Sequence, residues 1–265
     1  MESRAANLTT SADKTEARPR MVDIMSGPNA PLSRAFQLAG WETYAVDSIS
    51  GSDHDLAKRD TQKRVHSLLQ QADFVWAALD CSTKSRARER SIEGVSSYPA
   101  PLRSVIFPMG LPSLQGKDKM RVDADNAASE FVLAELEAHQ LRGGASGREN
   151  PEHSLHWRTP NEVRVFQGGS WFDQKDHACT LQGARRKAQK IRHDVEEIRA
   201  WPPMVCHHTH VPEEWAPQEL GNSRLWYPSR EEAEYTACLV FHIYILCLMQ
   251  SRSTLGTLHS WILPP

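Results

Sequence analysis

Apolar positions at residues 21–25 form a short run that ends in Ser26-Gly27-Pro28-Asn29, after which Leu32, Ala35, Phe36 and Ala39 recur on one helical face. The pattern predicts strand, turn and helix. A second strand is expected over residues 42–46, closed by Asp47, and a third over 74–79, ending at Asp80-Cys81. Between them Val65, Leu68 and Leu69 give residues 61–71 the spacing of a helix. Residues 82–119 are rich in Arg, Ser, Pro and Gly and hold no sustained period, which predicts a long loop. The clearest helix is 122–141, with Phe131, Val132, Ala134, Leu136 and Ala138 among polar residues and Gly143-Gly144 as its stop. A weak strand then leads to Glu149-Asn150-Pro151. Thr159-Pro160 opens a further helix bearing Val163, Val165 and Phe166, since proline suits a first turn. Strands alternating with helices predict an α/β fold, a mainly parallel sheet covered by helices on both faces.

The two ends fall outside this pattern. Residues 1–20 are polar and mixed in charge, without the apolar segment of a secretory signal, and are expected to form a disordered tail. Residues 237–249 are strongly apolar but shorter than the ~20 needed to span a bilayer, and His242 interrupts them. A buried core helix packed under the first strand, and no membrane partner, is the expectation. Residues 251–265 show neither period and are expected to be unstructured, which leaves one domain over 21–250. A net charge of −2 gives no global attraction to polyanions, so any nucleic-acid contact must come from local clusters. Five cysteines without paired short spacings do not form a disulfide framework, which points to a reducing compartment, nuclear or cytoplasmic.

In an open α/β sheet the ligand crevice lies beyond the carboxyl ends of the strands. Three such ends carry Ser26-Gly27, Asp47 and Asp80-Cys81. A small-residue turn lets backbone amides and a helix N-terminus approach a ligand, and an acid ending the second strand can accept bonds from ribose hydroxyls. Together they imply a nucleoside-bearing cofactor. Cys81 leads a loop bearing Arg86, Arg88 and Arg90, whose charges would lower a thiol pKa.

Taken in order, these residues resemble the motifs of the DNA cytosine-5 methyltransferases. Asp23-Ile24-Met25-Ser26-Gly27 is similar to the family's first cofactor motif, Asp47 to its ribose-binding acid, and Asp55-Leu56 to its adenine-contacting turn. Cys81-Ser82-Thr83-Lys84-Ser85-Arg86-Ala87-Arg88 resembles the nucleophile loop, Glu149-Asn150-Pro151 the catalytic glutamate motif, and Gly183-Ala184-Arg185-Arg186-Lys187 the later arginine motif. The resemblance implies a Rossmann-like class I fold and S-adenosylmethionine as cofactor, bound by Asp23, Ser26, Gly27, Asp47, Asp55 and Asp80. It implies that Cys81 adds to C6 of a cytosine lifted out of the duplex, and that Glu149 bonds the N3 edge. Arg185 and Arg186 would hold the backbone or base, with Ser85, Arg86, Arg88, Asn150 and Lys187 as further nucleic-acid contacts. DNA is the expected partner ahead of RNA.

The chain also departs from that family. Leu79-Asp80 stand where Pro-Pro normally precedes the cysteine, and a carboxylate beside a thiol disfavours the thiolate. Lys84 occupies a position that is commonly aromatic, and Met25 and Pro28-Asn29 replace the usual aromatic and glycine-rich residues. The stretch between Arg186 and Ser251 is too short for a separate target-recognition domain, so target specificity would be absent or supplied by a partner chain. In these respects the chain resembles the divergent methyltransferase-like domains carried in mobile-element polyproteins. The alternative is a catalytically silent relative that binds nucleic acid or a partner; a methyltransferase for another acceptor is a third reading. Cys206-His207-His208-Thr209-His210, with Cys179 and His177 upstream, has the atoms for zinc but not a recognised spacing. Ordinary surface and packed histidines, and no metal, are therefore expected there. The basic stretch 185–193 is expected either to track phosphates or to form a solvated strand or helix face.

Overall fold

The computed structural model describes residues 18–89, 99–211, 218–220, 224–226, 239–240 and 243. Arg90, nearly all of the 1–20 tail, the 251–265 tail and most of 237–249 lie outside the described residues. The chain begins β1 (Arg20–Ile24), α1 (Pro31–Leu38), β2 (Glu42–Val46), α2 (Arg59–Leu69) and β3 (Phe74–Ala78). It continues α3 (Gly116–Leu141), β4 (Ala145–Pro151), α4 (Pro160–Gly168), β5 (Phe172–His177), β6 (Ala188–His193) and α5 (Glu196–Arg199). A separate antiparallel pair joins β7 (Gln218–Leu220) to β8 (Arg224–Trp226).

Six strands form one mixed, mostly parallel sheet in the order β2-β1-β3-β4-β6-β5, with β6 antiparallel to both of its neighbours. β1 and β3 carry apolar residues on both sides, as expected of strands covered on both faces. Val22, Ile24, Val75 and Ala77 face one cluster with Val65, Leu69, Val132, Leu133, Leu136 and Val165, from α2, α3 and α4. Met21, Phe74 and Trp76 face the other with Leu32 and Phe36 of α1 and Ile198 of α5. Leu239, Val240 and Ile243 are helical and buried in that second cluster, at one of the apolar positions where a core helix is expected. Among the described residues, no helix is long and apolar enough to cross a membrane.

Three features differ from the expectations. α3 starts at Gly116, inside the expected long loop, because its first turns are polar and exposed and carry no apolar stripe. β5 and β6 were not anticipated, since FDQKDH and AQKIRH read as polar. The basic stretch 185–193 is accordingly not a solvated face at its end: Ile191, Arg192 and His193 are buried in β6. β4 is buried through Ser146, Gly147, Arg148, Glu149 and Asn150, although four of those five side chains are polar or charged. Gly147 is required there, since a Cβ would meet the Trp76 ring across the β3–β4 register at 2.4 Å.

Buried ions make β4 possible. Arg148 donates to Glu162 of α4 at 2.7 to 3.1 Å, Arg192 reaches the same carboxylate at 2.7 Å, and His156 Nε2 lies 3.1 Å from it. Arg192 also forks onto Asp173 of β5 at 2.6 and 2.7 Å, and the Arg148 guanidinium stacks 4.3 Å from the Trp171 ring.

Candidate active site

β1 lies between β2 and β3, so its outgoing connection and the one that returns to β3 leave on opposite sides and open a crevice at the carboxyl ends. The turn after β1 is built for close approach: Met25 and Gly27 both have positive φ, at 57° and 73°, and a Cβ on Gly27 would meet nothing within 4 Å. Asp47 clamps this turn to the next. One of its oxygens accepts the Gly27 N–H at 2.9 Å and the other the Ile49 N–H at 2.9 Å, while each keeps a further lone pair. Ser26 is largely buried in the same turn.

Asp23 has a different task. It is buried on β1 and accepts from the backbone and hydroxyl of Ser33, so it caps α1, whose own N-cap residue, Ala30, has no side-chain acceptor. Burial raises its carboxyl to about 6, and its second oxygen is buried without a hydrogen-bond partner. Asp55 accepts from Ala57 N at 3.0 Å in the turn before α2 and forms no bond to the Gly27–Asp47 clamp.

Asp80 belongs to the loop after β3. Its backbone N–H points to the Met25 sulfur at 3.3 Å, and its carboxylate accepts both the backbone and the hydroxyl of Ser82, at 2.8 and 2.6 Å. Cys81, half-buried, follows. In the parallel β3–β4 register Ala78 lies opposite Glu149, so the cysteine loop and the glutamate emerge from adjacent strand ends. Burial pushes the Cys81 thiol up to about 11; Lys187 pulls it down, and Asp80 and Glu149 push it further up. Asp80 thus raises the thiol in the expected direction, though loss of water is the larger cause, and the cation that opposes them is Lys187 rather than the loop arginines expected to lower it. Burial likewise raises the Glu149 carboxyl, with Lys187 opposing, and Glu149 Oε1 is buried without a hydrogen-bond partner. Lys187 thus acts on both groups, from the segment that enters β6.

Asn150 does not fit the nucleic-acid role expected of it. It is buried, and its amide donates to the Leu79 carbonyl at 2.5 Å, tying β4 to the loop that carries Cys81. Arg88 is similarly engaged, donating to Ser82 O and Ala100 O at 3.0 Å each, so it braces the loop. Arg86 is exposed and pairs with Glu89 at 2.8 Å; Ser85 caps Ala87 N at 3.2 Å. Arg185 and Lys187 are half-buried and Arg186 is exposed, on the segment whose Lys187 acts on Cys81 and Glu149.

The sequence reading missed what holds the loop from below. Lys84, noted only as a departure, is fully buried and donates to Asp125 at 2.5 Å, to Ser129 at 2.8 Å and to Asp80 O at 3.4 Å. Arg103 donates to Asp125 and to Thr83 Oγ1 at 3.0 Å each, and Thr83 bonds the same carboxylate. Two buried cations share one α3 carboxylate. Burial lowers the pKa of both Lys84 and Arg103, and Asp125 works against it. The available signal was the register of Asp125 and Ser129, four apart on one face of α3 and polar where an apolar stripe would otherwise run.

No protein-family model matches the chain, and no curated protein does. Among solved structures it is similar to the Entamoeba histolytica methyltransferase EhMeth, at 8% identity and a TM-score of 0.37, over 67% of this chain and 53% of that one. The chain thus spans about half the length of that structure. A likeness this low carries no weight for fold or chemistry, which rest on the sheet and the side chains themselves.

Proposed function

We propose that the chain is a cytosine-5 methyltransferase-like protein of the Rossmann-like class I type, acting on cytosine in DNA through a covalent Cys81 adduct, and turning over slowly. The observation that carries this reading is the pair at adjacent strand ends: a half-buried thiol beside a buried carboxyl whose Oε1 lacks a partner. Burial raises the Glu149 carboxyl and so favours its protonated form, which can donate to a ring nitrogen. With its thiol proton released to solvent, the Cys81 thiolate would bond to C6 while protonated Glu149 gives its proton to cytosine N3; the C5=C6 pair becomes a C4=C5 bond and the C4=N3 pair takes the proton. C5 becomes the nucleophile. Loss of the C5 proton to solvent after methylation would re-form the C5=C6 bond and expel the Cys81 thiolate, and return of the N3 proton would restore Glu149.

The residues fit a nucleoside-bearing cofactor such as S-adenosylmethionine, which when bound supplies an electrophilic methyl group. Gly27 opens onto free space, and Ser26 and the spare lone pairs of Asp47 stand beside it. Asp55 and Asp80 supply further acceptors near the same edge, whereas Asp23 would act only by shaping the turn. Arg185, Arg186 and Lys187, with exposed Arg86, would meet the phosphates or base in a chain whose net charge is otherwise slightly negative. A partner chain would supply target choice, in the nucleus or cytoplasm.

One observation favours a second reading, a silent relative that only binds nucleic acid or a partner. With a pKa of about 11, only on the order of 10⁻⁴ of the Cys81 thiol is thiolate at pH 7. Two measurements test the proposal. Calorimetry should show S-adenosylmethionine and S-adenosylhomocysteine binding, weakened by Asp47→Ala. DNA containing 5-fluorocytosine should trap wild type slowly and Cys81→Ala not at all. Cofactor binding without any trapping would favour the silent reading; absence of both would remove the methyltransferase reading.

A further inference from the structure

Four side chains from two segments meet beyond the carboxyl end of β5, the edge strand of the sheet. Cys179 lies in the short 3-10 turn after β5, and Cys206, His208 and His210 lie in the segment that follows α5. One ligand atom from each comes within 4.8 Å of all the others. Cys206 Sγ is 3.2 Å from His208 Nδ1 and 3.3 Å from His210 Nε2, and the two imidazole rings are 4.4 Å apart. With Zn–S near 2.3 Å and Zn–N near 2.0 Å, a tetrahedral site has ligand-to-ligand edges of about 3.3–3.8 Å. The two Cys206 edges fall close to that range, and the remaining atoms lie within 4.8 Å, a little wider than a bound tetrahedron.

We infer that Cys179, Cys206, His208 and His210 hold one zinc ion in a closed, structural Cys2His2 site. The expectation of ordinary histidines at 206–210 rested on the unrecognised spacing; in the fold Cys179, from the turn after β5, stands beside that segment. The candidates also divide: His208 and His210 enter the cluster, whereas His177 uses Nδ1 to accept the Cys206 N–H at 2.7 Å, and His207 is exposed outside it.

The segment is held for this purpose without metal. His177 N–H donates to Met204 O at 2.9 Å, Thr180 Oγ1 reaches the same carbonyl at 2.8 Å, and Met204 N–H donates to Asp176 at 2.8 Å. Cys206 is therefore aimed at Cys179 by bonds that none of the four ligands makes with its metal-binding atom, the support that ligating residues need. Two thiols and two neutral imidazoles suit zinc, since two thiolates cancel its charge and tetrahedral S2N2 geometry is its preference. Binding releases the thiol protons that are still present, at most two per ion. All four positions are filled by protein, so the ion would have no place for a substrate and would act as a brace. It would fix the turn whose Ala178 N–H donates to Lys187 O at 2.8 Å, at the base of the segment carrying Arg185 to Lys187.

The test uses the full chain purified under reducing conditions without chelator. Elemental analysis should find one zinc per chain. Cobalt(II) added to chelator-stripped protein should give the intense visible bands of a tetrahedral ion together with thiolate charge transfer. Cys179→Ser and His208→Ala should each weaken binding by on the order of 100-fold or more, and His207→Ala should leave it unchanged. His208 is exposed, so its variant keeps the fold, which circular dichroism verifies. Substoichiometric metal in folded reduced protein, an octahedral cobalt spectrum, full zinc retention in His208→Ala, or a Cys179–Cys206 disulfide in the reduced preparation would each overturn the assignment.

Discussion

Glu162→Gln offers the sharpest test of the packing that carries the site. Glu162 and Arg148 are fully buried, and Arg192 is 5% exposed. Burial alone would raise the Glu162 carboxyl, yet Arg148 and His156 hold it well below the usual carboxylate range. Glutamine keeps the volume and one acceptor but turns an amide toward a guanidinium. Arg192 retains Asp173 as a hydrogen-bonded counter-charge, so the cost falls on Arg148, which keeps the Trp171 ring and the longer-range attraction of Asp173 and Asp194. Removing one member of a buried ion pair costs about 3–5 kcal/mol, and the ring recovers no more than about 2 kcal/mol. We expect a loss of about 3 kcal/mol, or about 6–12 °C in Tm for a domain of this size. Urea denaturation followed by tryptophan fluorescence and circular dichroism measures it, with the m-value unchanged. Because the folded pKa is depressed, the ion's contribution is complete above the unfolded value and disappears only as pH falls through the folded one. The difference should therefore be constant between about pH 5 and 8 and shrink only in stronger acid. Arg148→Met combined with Glu162→Leu should recover most of the loss, since an apolar replacement leaves no unpaired charge. A single-variant loss below about 1 kcal/mol, or a double variant worse than the single, would refute this account.

Three further outcomes are expected. Asp80→Asn keeps an acceptor for the Ser82 N–H, turns a donor toward the Ser82 hydroxyl and removes the charge, so alkylation of Cys81 should speed up by no more than about tenfold, while Asp80→Pro forfeits all the loop pins and should not exceed it; a larger gain from proline would show that the pins are irrelevant. Asp125→Asn strands Lys84 and Arg103 and should cost about 3–5 kcal/mol, whereas Lys84→Met leaves Asp125 paired with Arg103 and should cost far less; equal losses in denaturation would contradict the shared-carboxylate geometry. Burial lowers His139 to about 4 from 6.5, so its contribution is complete above 6.5 and is lost as pH falls toward 4, worth about 3 kcal/mol, and His139→Leu should gain that much relative to wild type between pH 7 and about 4 in paired unfolding curves; a flat difference would place the titration elsewhere.

The parallel half of the sheet was legible because its strands are bounded by turn residues and alternate with helices whose apolar faces are clean: β2 matches its expected bounds, and β1 and β3 differ by one residue at their ends. β4, β5 and β6 were weak or invisible for one physical reason. Their inward positions carry Arg148, Asp176, Arg192 and His193, and such residues read as solvent-facing unless their partners are known. Those partners are remote in sequence, as Arg192 and Glu162 are. Candidate chemistry followed the same division. Asp47, Asp80 and Cys81 could be placed because they end recognisable strands, whereas Asn150 was misread as a contact when it is a tie, and Lys84 as a departure when it is an anchor.

The loop carrying Cys81 is stitched to three elements: through Asn150 and the Leu79 carbonyl to β4, through Lys84 to α3, and through the Leu155 N–H, which donates to Lys84 O at 3.0 Å, to the segment after β4. A segment so tied has no inexpensive way to open by itself, because each local excursion would break a buried bond in another part of the domain. Its protected amides should therefore exchange with solvent at the slow rate of global unfolding rather than at the rate of an ordinary surface loop. Any accommodation between a bound molecule and the thiol would then fall to the incoming molecule, which must present its reactive edge to a fixed sulfur.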